Sequence, residues 1–67
     1  MNDNWEKVYT STFEHKVEIV KAVLENNDIE SIILNKKDSF YLMGEIELYV
    51  SKDDVIRAIT IIEKEEI

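Results

Sequence analysis

Residues 45–50 read Glu-Ile-Glu-Leu-Tyr-Val. That strict alternation constrains the fold more than any other stretch of the chain. Successive side chains of a strand point to opposite faces. Ile46, Leu48 and Val50 therefore turn to a core, while Glu45, Glu47 and Tyr49 turn away. A face carrying two glutamates stays in water, so a sheet built around this strand is covered on one side only. Any helices must share the apolar side.

Two helices are predicted. Phe13, Val17, Val20 and Leu24 recur at i, i+4, i+7 and i+11, one stripe at helical periodicity. Ser11-Thr12-Phe13-Glu14 fits a capping box, with the Ser11 hydroxyl accepting from the Glu14 amide. Asn26-Asn27-Asp28 closes this helix with residues that tolerate left-handed backbone. The second helix opens at Ser51-Lys52-Asp53-Asp54, with Ser51 as N-cap and acids at the positive end of the dipole. Val55, Ala58, Ile59 and Ile62 form its stripe. Ile19, Ile56 and Ile61 lie off the stripes and fit either between the helices or against a partner.

Two further strands are predicted over residues 5–10 and 29–34. The first places Trp5, Lys7 and Tyr9 on one face and Glu6, Val8 and Thr10 on the other. Residues 36–39 form a polar turn. Residues 40–43 read either as a loop or as the start of a longer third strand, with Gly44 as a hinge or bulge. The order is β-α-β-β-α. A crossover from strand 1 to strand 2 links parallel strands, and strand 3 fills the gap antiparallel to both. The expected fold class is α+β: a truncated ferredoxin-like two-layer sandwich, sheet order 1-3-2, both helices on one face. The 67 residues make one domain with an ordered core from about 5 to 64, because a second domain could not build its own core.

Three stretches carry a family resemblance. They are Val8-Tyr9-Thr10-Ser11, the run from Val23 to Ser31, and Leu34 to Ser39 followed by Gly44 to Val50. In these the chain resembles the small bacterial domain family labelled "putative prokaryotic signal-transducing protein", over about Lys7 to Ile62. The resemblance implies a ferredoxin-like fold and a signal-transducing role. Many members of that family carry glycine where this chain has Asp28. The family's label reflects a likeness to the PII nitrogen regulators, which bind nucleotide on long loops and at trimer clefts. This chain has no such loop and no matching basic phosphate-binding cluster, so nucleotide binding does not carry over.

Composition removes several function classes. Without cysteine there is no disulfide, iron–sulfur cluster, thiolate catalysis or cysteine-based zinc site. No apolar run approaches the roughly 20 residues of a membrane span, and the first residues lack signal-peptide character, so a cytoplasmic protein is expected. The net charge of −7 repels phosphate backbones and anionic lipid, so neither nucleic acid nor a membrane is an expected partner. His15 sits on a helix surface among Glu14, Lys16 and Glu18, away from any nucleophile in a pocket. Glu45 and Glu47 lie on an open face, and Asp53 and Asp54 cap a helix. No catalytic, cofactor-binding or metal-binding residue is assigned, and no cofactor is expected.

What remains is surface. Trp5, Tyr9 and Tyr49 are expected to share the face away from the helices, with Ile33. Tyr41 and Met43 are left over from the core in the stretch before strand 3. These five, Trp5, Tyr9, Tyr41, Met43 and Tyr49, form the candidate interaction surface. RNA-recognition domains carry aromatics at a similar place, but Glu45 and Glu47 oppose that use here. The absent fourth strand leaves the outer edge of strand 1 open for strand addition. The expected function is a small non-enzymatic interaction or regulatory module, docking a protein or self-associating, for example as a homodimer. The competing reading is a small-metabolite or nucleotide sensor, with its site between residues 40–43, the sheet and a helix end.

Overall fold

The computed structural model describes residues 4–35 and 44–65. Tyr41, Met43 and the loop-or-strand question over residues 40–43 lie outside the described residues. Strand β1 spans Trp5–Ser11, helix α1 Glu14–Asn26, strand β2 Ser31–Asn35 and strand β3 Ile46–Ser51. A 3-10 turn, Lys52–Asp54, leads into helix α2, Val55–Glu65. The sheet order is β1-β3-β2 with both pairings antiparallel, so the fold is α+β in the order β-α-β-β-α.

The alternation of β3 holds. Ile46, Leu48 and Val50 are buried and form the core with Val17, Val20 and Leu24 of α1, Ile29, and Ala58 of α2. Each fully buried aliphatic side chain of this size contributes about 1.5–3 kcal/mol relative to exposure. Val55, Ile61 and Ile62 pack against this core from α2. Ile61 thus replaces Ile59, which is exposed: the stripe is centred on Ala58 rather than between Ala58 and Ile59. Ile19 is exposed on α1, and Ile56 is 81% exposed on α2.

Phe13 also leaves the expected stripe. It is the N-cap residue of α1, with extended backbone, so helical periodicity does not govern it. Its exposed ring lies beneath Lys16 Nζ, 5.2 Å from the ring centroid, and beside the His15 ring. The Ser11 hydroxyl accepts from the Phe13 amide at 3.0 Å, one residue short of a capping box. At the other cap, Ser51 accepts from the Asp53 amide as its position implies.

The C-terminus of α1 ends in a Schellman motif. The Ile29 amide donates to the Leu24 carbonyl at 2.9 Å and the Asp28 amide to the Glu25 carbonyl at 3.0 Å. Asp28 takes the left-handed conformation that this closure needs, at φ 63. Ile29, expected to open strand 2, instead buries against Leu24 as the apolar residue that follows such a cap.

A candidate interaction surface on the open sheet face

The pairing register decides which side chains share the uncovered face. Residues directly opposite in an antiparallel pair lie on the same face. Lys7, Tyr49 and Ile32 form one row across the three strands, and Thr10, Glu47 and Leu34 form the next. Trp5 stands opposite Ser51, whose spacing from Tyr49 puts it on that face as well.

Tyr9 does not join them. The register of β1 against β3 jumps between Lys7 and Tyr9, so Val8 is the extra residue of a β-bulge. A bulge reverses the facing of everything beyond it. Tyr9 therefore stands opposite Leu48 and packs, with Val8, against the helix-covered core. Ile33 is corrected as well, here by an unbroken register: it pairs with Leu48 and packs against the core, while Ile32 and Leu34 take the open face. Sequence reasoning missed Ile32 and Leu34 because Ile32-Ile33-Leu34 is apolar throughout and carries no phase. The one available signal was Val8-Tyr9, two adjacent large residues in a strand that otherwise alternates.

Glu47 is the centre of this face. Although it lies on the side without helices, its side chain is only 8% exposed. Lys7 Nζ approaches Oε2 at 3.3 Å, and the Tyr49 hydroxyl donates to Oε1 at 2.7 Å. The charge is thus compensated by an ammonium and by a phenol. The hydrogen bond to Glu47, partial desolvation and the carboxylate's charge together hold the Tyr49 phenol above its ordinary pKa of 10.0. Thr10 donates to Glu45 at 3.2 Å at the solvent side. Around this centre, Ile32 is 42% exposed, and Trp5, Leu34 and Tyr49 are half-buried.

The face can present apolar and aromatic surface around a carboxylate already paired within the chain. The described residues enclose no pocket. Among them, no group of three or more His, Asp or Glu is placed to hold a metal. His15 is exposed beside Phe13 on α1. No helix among the described residues is long and apolar enough to cross a membrane.

Comparison with known proteins agrees with this plan. Among solved structures the chain is similar to the type III secretion system protein EscJ of enteropathogenic E. coli, at 30% identity and a TM-score of 0.69. The likeness covers 91% of this chain but 36% of that one, so this chain spans about a third of the length of the protein it matches. No curated protein matches it significantly. The sequence pattern of the family described as "Putative prokaryotic signal transducing protein" matches residues 5–66, and the chain belongs to that family.

Proposed function

We propose that this member of the signal-transducing family is a cytoplasmic, non-enzymatic regulatory module that works by protein contact, with the open sheet face as its contact surface. The observation that carries the reading is the paired Glu47 surrounded by Trp5, Ile32, Leu34 and Tyr49. Internal pairing lowers the desolvation penalty that a bare carboxylate would impose on a docking partner. Aromatic and aliphatic surface of this kind, rimmed by charge, suits protein contact. The family's description as signal transducing supports a regulatory role. The likeness to EscJ supports use of this plan within larger assemblies of chain, since there it accounts for about a third of a protein of a secretion system.

Contact with a second copy of the chain is one form of this activity. The test is site-specific photocrosslinking in the host. A benzophenone side chain at position 49 is expected to give one discrete adduct, with a host protein or with a second copy. The same group at Glu18, exposed on α1, is expected to give none. Equal labelling from both positions, or none from position 49, removes the open face as the contact surface.

A further inference from the structure

We infer that the outer edge of β2 is a self-pairing seam, at which a second copy of this chain adds its own β2 antiparallel about a two-fold axis through Ile33. The inference rests on the contact-module reading and names one partner for it.

The sheet has two outer edges, and among the described residues no strand pairs with either. They differ in how well they resist strand addition. Edge strands are protected by charge, by bulges and by interrupted pairing. β1 has all of these: Glu6 and Lys7 lie side by side and the bulge follows at Val8. β2 has none. It reads Ser-Ile-Ile-Leu-Asn without a charged residue, and its register against β3 runs unbroken over five pairs.

The β2 sequence is also complementary to itself. Only one antiparallel register overlaps all five residues, and it sets Ile33 opposite Ile33 of the second copy. Ile32 then meets Leu34 of the second copy on the open face, twice over by symmetry. The same register leaves both helix layers on one side of a continuous six-stranded sheet. A shift by one residue would turn the second copy over. In a chain of net charge −7, this is an edge where two copies meet without opposing like charges.

A second observation points the same way. Ser31 is 6% exposed, and its hydroxyl is buried without a hydrogen-bond partner among the described residues. Buried polar groups are nearly always paired. In the Ile33-centred register Ser31 lies directly opposite Asn35 of the second copy, on the helix-covered face. The Ser31 oxygen is covered in the single copy, so the amide of that asparagine reaches it only once the side chains over it turn aside as the seam forms. A five-residue seam is small, and the association it gives is weak and concentration-dependent.

The chain has no cysteine, so one introduced thiol reports on one position. Light scattering on the concentrated full chain is expected to approach twice the 7.9 kDa of one copy. Ile33→Cys is expected to crosslink to itself under mild oxidation. Ile32→Lys, at an exposed position, is expected to return the mass to one copy while circular dichroism and melting stay native. Mixing Ile32→Lys with Leu34→Glu is expected to restore the dimer, because the introduced ammonium of one copy then faces the introduced carboxylate of the other. A dimer that survives Ile32→Lys and does not crosslink through Ile33→Cys overturns the seam but leaves self-association standing. A chain that is monomeric at millimolar concentration overturns seam and self-association together; docking of a different protein on the open face then stands or falls on the position-49 adduct.

Discussion

The Tyr49 hydroxyl donates a 2.7 Å hydrogen bond to Glu47, two residues earlier on the same face of β3. Neutral phenol is the form that can donate, and phenolate would face the carboxylate's charge. Folding therefore raises the Tyr49 pKa above 10.0. The folded state holds this proton more tightly than the unfolded state, so the linked stability is fully present below about pH 10 and is lost as pH rises through the folded value. Titration of the tyrosine ring signals by NMR, assigned with Tyr49→Phe, is expected to show Tyr49 ionising above a model phenol. Glu47→Gln is expected to bring it back toward 10.0. A Tyr49 pKa unmoved by Glu47→Gln would mean that the hydrogen bond is not formed in solution.

Lys7 is the ammonium partner of the same carboxylate. Its own side chain is 47% exposed, so solvent screens much of the attraction. The nearly buried Glu47 is what makes its loss felt. Lys7→Met is expected to cost about 1 kcal/mol, less than for a fully buried pair because water and Tyr49 still reach Glu47. Adding Glu47→Gln to Lys7→Met is expected to recover most of that loss. Urea melts of the two single variants and the double variant measure the coupling directly.

Asp28 carries a left-handed backbone to close α1. A residue with a Cβ is strained there and glycine is not. Asp28→Gly is expected to stabilise the fold by about 0.5–1 kcal/mol after the added freedom of the unfolded chain is subtracted. Asp28→Val is expected to destabilise it. The midpoint of chemical denaturation should move in opposite directions for the two.

The bulge at Val8 sets the facing of β1. Deleting Val8 leaves Lys7 opposite Tyr49 and Tyr9 opposite Leu48 with no extra residue between them. Pairing on both sides is expected to persist. The cost is expected to be about 1–2 kcal/mol from the lost packing of one valine. Cross-strand NOEs between Tyr9 and Leu48 check this. Their loss, with Tyr9 moved to the open face, would show that the register depends on the bulge itself.

The elements and their order were legible because each rests on local pattern. The alternation of β3, the Val17-Val20-Leu24 stripe and the Ser51 cap are repeated signals that tolerate an error of a residue or two. The open face was legible only in part. Trp5 and Tyr49 lie where alternation puts them, and Tyr41 and Met43 fall outside the described residues. Tyr9 faces the other way because a single inserted residue reverses every position after it, and the only trace of the insertion in the sequence is the adjacent pair Val8-Tyr9.

The sequence by itself determined a one-sided three-stranded sheet under two amphipathic helices, because burial of apolar area acts on periodicities that local sequence already contains. Only the tertiary structure decided which apolar residues of β1 and β2 face the helices, and that Glu47 is covered by Lys7 and Tyr49. These choices depend on register, a relation between residues far apart in the chain such as Lys7 and Glu47, which stand 40 positions apart. No stretch of β1 or β2 contains its own register; it exists only once both strands lie against β3.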